Sequence, residues 1–173
     1  MSRQANKHGG GANTNKNGLK FEQTTSLDSA LKAVGYRVED NKVYSGKELI
    51  GYSVPKKRIY NKFLKPMGID YKDYNSKGWQ PDECFINIKN KTAYIIEKKF
   101  QSGSGSVDEK LPGCHFKKQE YLKLFTPLGY NVEFLYVLNN WFLNDIYKDI
   151  LEYIEQVGCR YYFNEIPLEY LEL

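Results

Sequence analysis

The sequence predicts an α/β fold with a mixed central sheet flanked by helices. Three observations carry that expectation. Hydrophobic periodicity, read along the chain, gives a helix, a group of short strands, a second helix, a strand, a third helix and a last strand. The run Ala93-Tyr94-Ile95-Ile96 is apolar on both faces, as in a strand covered from both sides. The length of 173 residues suffices for one domain with a sizeable core.

The elements follow in order. Residues 1–17 are rich in Gly, Asn and Lys and hold no large apolar residue after Met1. Such a segment buries too little to order itself, which predicts a flexible arm. It also suits an arm that orders against phosphate, because glycine allows close approach and lysine supplies charge. Residues 18–34 read as a helix, with Leu27, Ala30, Leu31 and Val34 at helical spacing, Glu22 in the early turns and Gly35 as the stop. Residues 36–54 read as short strands and turns.

Residues 56–65, KKRIYNKFLK, form the strongest basic cluster. Lys56, Lys57, Arg58, Lys62 and Lys65 are interleaved with Ile59, Tyr60, Phe63 and Leu64. This pattern fits a solvated face, and it equally fits a DNA-facing segment that offers charge to phosphates and amides such as Asn61 to the grooves. A hairpin is expected over 82–100, then a Gly/Ser turn at 102–106, a helix from Cys114 to Phe125 and a strand over 131–138. Leu143, Ile146, Tyr147, Ile150, Leu151, Ile154 and Val157 make one apolar stripe that predicts a helix ending at Gly158. CRYYFN, 159–164, reads as the last strand.

The totals bound the class. Lys and Arg number 25 against 21 Asp and Glu, for a net charge of +4, which permits a nucleic-acid partner. Three cysteines, with no C-x-x-C pair, point to a reducing compartment rather than a disulfide scaffold. No window is apolar enough for a signal peptide or a membrane span. A cytoplasmic protein without a membrane partner is expected.

The chemistry concentrates in WQPDECFINIKNKTAYIIEKKFQ, residues 79–101. In the second strand Glu97, Lys99 and Gln101 share a face and Lys98 does not. In the first, Asp82, Cys84, Ile86 and Ile88 share a face. A turn at Asn90-Lys91 sets Asp82 opposite Lys99 and Cys84 opposite Glu97, which makes Asp82 and Glu97 diagonal neighbours about 7–8 Å apart. Any even-numbered turn keeps both acids on one face, and an odd one separates them. Charges ending an apolar strand are costly to bury unpaired and should face a cleft. Two carboxylates a few ångströms apart suit Mg²⁺. Such an ion polarises a phosphoryl oxygen and acidifies a bound water, and an adjacent lysine stabilises the developing charge. The acid-x-Lys pattern occurs four times in the chain, but only Glu97-Lys98-Lys99 ends an apolar strand with a Pro-Asp upstream.

Pro81-Asp82 followed by Glu97-Lys98-Lys99 on two adjacent strands resembles the PD-(D/E)XK nuclease superfamily, whose fold is restriction-endonuclease-like. The resemblance extends over the element order of residues 18–138 and is sharp only at the motif. It implies that Asp82 and Glu97 hold a divalent metal, Mg²⁺ with Mn²⁺ as substitute, and that Lys99 assists the attacking water. It further implies a third acid from the leading helix, for which Glu22 is the best match, and a catalytic Gln101 from the pattern E-x-K-x-Q. Small size and an added segment over 53–78 look most like a type II restriction endonuclease. That implies one nuclease domain over 18–173, acting as a homodimer on double-stranded DNA at a short sequence. Lys56, Lys57, Arg58, Asn61 and Lys62 are then the expected DNA contacts. A junction resolvase or repair nuclease, and a non-catalytic DNA-binding module, are the alternatives. His8 and His115 are too few for a histidine-based nuclease or a zinc site, and no Gly-Lys-Ser/Thr follows the SGSGS turn.

Overall fold

The computed structural model describes residues 17–103 and 105–173. The arm expected over 1–17 therefore lies outside the described residues, Asn17 excepted. Seven strands form the main sheet: β2 (Arg37–Glu39), β3 (Lys42–Ser45), β4 (Glu48–Ser53), β5 (Glu83–Asn87), β6 (Thr92–Lys99), β7 (Asn131–Leu138) and β8 (Arg160–Phe163), in that spatial order. Pairing is antiparallel from β2 through β6 and parallel for β6–β7 and β7–β8. Parallel neighbours need crossovers, and helices supply them. Helix α3 (Cys114–Phe125) links β6 to β7, and α4 (Lys148–Gln156) links β7 to β8. The expected mixed sheet flanked by helices is the observed fold.

The sheet carries a core on each face, and β6 divides them. Ala93 and Ile95 join Val132, Phe134, Tyr136, Tyr121 and Phe125 on the α3 side. Tyr94 and Ile96 join Phe85, Leu135, Val137, Leu27 and Leu31 on the side of α1 (Leu27–Ala33). That two-sided burial is the reason an uninterrupted apolar run sits at mid-sheet. The strand over 131–138 and the helix Cys114–Phe125 fall where the periodicity puts them. A short helix, α2 (Val107–Lys110), precedes α3.

Three expectations are corrected. The helix read over 18–34 is only Leu27–Ala33. Ser26 caps it by accepting the Ser29 N–H, and the residues before it are β1 (Gly18–Lys20) and a turn. β1 pairs with β9 (Glu165–Pro167), a partner some 150 residues away that no local pattern announces. Glu22 is thus not on a helix. It lies exposed in the turn, its N–H bonded to the Thr25 hydroxyl. Next, the helix read from Leu143 begins at Lys148. Leu143 and Ile146 sit in 3₁₀ turns, 60% and 75% exposed. Finally, the hairpin pairs Asn87 with Thr92 and Glu83 with Ile96, two residues from the expected register. The turn closes at Ile88–Lys91 because the Asn87 side chain accepts the N–H groups of Lys89 and Asn90, and Lys91 adopts a left-handed φ of 51°. A shift of two preserves the face of every side chain.

The β4–β5 contact leaves no room for substitution at Gly51. A Cβ there would overlap the Ile86 carbonyl oxygen and crowd the Phe85 ring. Gly51→Ala is expected to destabilise by about 2 kcal/mol through overpacking against backbone that cannot yield. A urea titration showing an unchanged midpoint would refute this.

Candidate active site

The site forms at the end of the β5–β6 hairpin, where the two strands part. The last observed pair of the hairpin is Glu83 with Ile96, which leaves Asp82, just before β5, and Glu97, the next residue of β6, at the same end of the two strands. Asp82 precedes β5 and turns its carboxylate back onto β6: Oδ2 accepts the Lys98 N–H at 2.8 Å, and Oδ1 accepts Lys56 Nζ at 2.5 Å. Burial alone would raise its pKa. The Lys56 hydrogen bond and the Lys98 amide, with Lys99 near, outweigh burial and hold the carboxyl below its ordinary value. Asp82 is therefore an anion at neutral pH.

Glu97 is only 5% exposed. Lys99 Nζ lies 3.4 Å from one of its oxygens, and Lys117 Nζ, from α3, lies 4.0 Å from the other. Burial is the largest influence and pushes the Glu97 carboxyl above its ordinary value. Lys117 and Lys99 oppose it, and repulsion from Asp82 adds to it. This carboxylate has more desolvation than its two lysines offset. Its chemistry, two hard oxygens beside a second carboxylate, fits a divalent cation that would supply the remaining charge. Asp82 and Glu97 would hold that ion. Among the described residues no further His, Cys, Asp or Glu joins them in a group of three, so Glu22 is not brought to the site. Its neighbour Gln23 borders a cleft of about 310 Å³ lined also by Lys56, Asp82, Glu83, Lys98 and Phe100; of the two carboxylates assigned to the ion, this cleft reaches Asp82 and not Glu97.

Lys98 serves two faces at once. Its N–H binds Asp82, while its side chain passes to the α1 face and meets the Thr25 carbonyl at 2.8 Å and Glu83 at 3.3 Å. Gln101 lies beyond β6, its main chain clasped by Asn139 through two hydrogen bonds. Its side-chain N–H donates to the Gly103 carbonyl at 2.5 Å, and its buried Oε1 has no partner among the described residues. No hydrogen bond ties it to Asp82, Glu97 or Lys99.

The basic segment is built differently from a loose loop. Ile59–Leu64 form a π-helical turn that buries Ile59, Tyr60, Phe63 and Leu64 in the core, leaving Lys56, Lys57, Arg58, Asn61 and Lys62 exposed. Lys57 and Asn61 line a pocket of about 200 Å³ with Tyr60, Tyr71 and Gln80. Lys56 is a special case. It adopts a left-handed φ of 53°, its N–H binds the Pro81 carbonyl, and its ammonium sits on Asp82. Strain of this kind persists only where the surroundings enforce it. Sequence reading placed Lys56 among the DNA contacts and did not see its tie to Asp82. It also missed Lys117, which stands twenty residues past Glu97 and has no motif of its own.

A mixed sheet whose central hairpin ends in two neighbouring carboxylates, with a lysine on each and a basic segment alongside, is the arrangement of a nuclease. The chain belongs to the PD-(D/E)XK nuclease superfamily: the family model so described matches residues 13–124, about two thirds of its length. No curated protein and no solved structure matches it. β7 and β8 lie beyond the matched part, although β7 pairs along the whole of β6. Membership implies nucleic-acid binding and a divalent metal. Among the described residues no helix is long and apolar enough to cross a membrane.

Proposed function

We propose that the protein is a metal-dependent endonuclease that hydrolyses phosphodiester bonds of double-stranded DNA at a short specific sequence, in the manner of a type II restriction enzyme. The observation that carries this reading is the convergence of Asp82 and Glu97 at one end of the hairpin, close enough for Asp82 to repel the Glu97 carboxylate, with Lys99 on that carboxylate. A bound Mg²⁺, or Mn²⁺ in its place, supplies Lewis acidity toward a phosphoryl oxygen and a more acidic water. Asp82 and Glu97 are its ligands. Lys99, held beside Glu97, orients the attacking water and stabilises charge on the phosphoryl oxygens. Gln101 is assigned a supporting catalytic role through its buried Oε1. Lys57, Arg58, Asn61 and Lys62 project from a rigid, core-anchored turn, which suits base or phosphate contact. Lys56 is shared between that surface and Asp82. A homodimer would match a two-fold symmetric site, and residues 18–173 would act as one nuclease unit.

Digestion of plasmid DNA tests the reading. Discrete bands that need Mg²⁺ and vanish with chelator are expected, and mapped fragment ends should share one short sequence. Cutting confined to branched or damaged DNA would make the protein a structure-specific nuclease instead. Salt-dependent binding without any cutting would leave a non-catalytic DNA-binding module.

A further inference from the structure

Beside the two carboxylates lies an aromatic surface that neither the metal nor the basic segment uses. Phe116, in the first turn of α3, is 55% exposed. Its ring meets Trp79 edge-on, with centroids 5.9 Å apart at 80°. Trp79 is fixed: it packs against the main core, and its carbonyl accepts the Tyr60 hydroxyl. Two ammonium groups flank it, Lys77 at 4.1 Å and Lys117 at 5.7 Å from the ring centre. Lys117 is the same lysine that lies 4.0 Å from Glu97. Those two Lys117 distances bound the gap from the Glu97 oxygen to the Trp79 ring at about 10 Å, and the ring contact extends the bound to about 16 Å at the Phe116 ring, a span of a few nucleotides along one strand.

An exposed phenylalanine braced by a tryptophan that itself carries two ammonium groups has the chemistry of a stacking platform. The ring offers a π-face that any base can cover, at little entropic cost because its support does not move. The lysines answer the phosphates on either side of that base. Resting on the reading of the Asp82–Glu97 edge as a nucleic-acid site, we infer that Phe116, backed by Trp79, stacks an unpaired nucleobase of the strand held there. The bound strand is then presented with a base drawn out of its stack within a few nucleotides of the scissile phosphate, and Lys117 joins the platform to Glu97.

The test is binding of a fluorescein-labelled oligodeoxythymidine to the full chain in chelator, followed by anisotropy, with a blunt duplex of equal length as comparison. Phe116→Ala should weaken oligodeoxythymidine binding roughly tenfold or more and blunt-duplex binding less. Phe116→Tyr should keep wild-type affinity, and Phe116→Leu should behave as the Ala variant. Phe116 is exposed, so all three should fold, with circular dichroism unchanged. The inference is overturned if the Ala variant binds as wild type does, or if Leu serves as well as Tyr. Wild-type protein that binds neither oligonucleotide would overturn the nuclease reading itself, whereas cleavage that persists with no effect at Phe116 would overturn the platform alone.

Discussion

Glu97→Gln is expected to lower plasmid cleavage by a factor of about 10³ or more, the scale associated with losing a charged partner of the transition state. Glutamine keeps the shape and, through its one amide oxygen, a contact with one of the two lysines, but it cannot bring an anion to the metal. The same change should leave the fold intact and, in chelator, no less stable. Burial raises the Glu97 carboxyl in the folded protein, with Asp82 adding to it against Lys117 and Lys99. A carboxyl whose folded pKa lies above its unfolded value binds its proton more tightly when folded. Its contribution to stability is then lost as pH rises from the ordinary glutamate range through the raised value. Glutamine does not titrate, so the melting temperature of Glu97→Gln should gain on wild type as pH climbs through that interval. Loss of activity together with this gain is the mark of a residue kept for chemistry. Wild-type cleavage by Glu97→Gln would remove Glu97 from the site, and a variant that melts well below wild type at neutral pH would make its role structural.

The divide between what the sequence shows and what it hides follows the range of the interactions. Ala93–Ile96 announces a central strand because burial on both faces leaves its signature in four consecutive residues. The same holds for Asn131–Leu138 and Cys114–Phe125, whose patterns are self-contained. The nearness of Asp82 and Glu97 at the end of the hairpin was legible in the order of the two strands, while the register depended on how the Asn87 side chain folds the turn. Glu22 was misread because β1 draws its order from β9, far along the chain, and not from the helix that follows. Leu143 and Ile146 continue the stripe of α4 in sequence but not in space, since Asn144 accepts the Ile146 N–H and starts a separate turn. Lys56 and Lys117 reach the carboxylates from elements 26 and 20 residues away in sequence, and nothing in their surroundings distinguishes them from other surface lysines.

Lys98 and Lys99 are neighbours in the motif, yet they answer to opposite faces of β6, and the largest stability effect is expected at the first. Lys98→Met keeps the aliphatic stem and removes the ammonium that binds the Thr25 carbonyl and Glu83. Glu83 is 5% exposed, and burial already raises its carboxyl against the pull of Lys98 and of the Leu27 N–H, with Asp28 adding to the rise. Without Lys98 it is a buried charge that has lost its one ion pair among the described residues, with only the more distant Lys56 in reach, a loss of about 3–5 kcal/mol. For a chain of this length that is a fall in melting temperature of roughly 6–20 °C. The fall should deepen as pH rises above the ordinary glutamate range, because a raised carboxyl costs most once it must ionise. Adding Glu83→Leu to Lys98→Met should recover much of the loss, since an apolar pair leaves no charge to solvate. The Asp82 contact comes from the Lys98 main chain, so the single variant should still cut DNA well below its melting point, and Lys99→Met should fold normally and fail to cut. A Lys98→Met protein that melts with wild type at every pH would mean that the Glu83–Lys98 pair holds nothing together, and that the two lysines do not divide structure and chemistry between them.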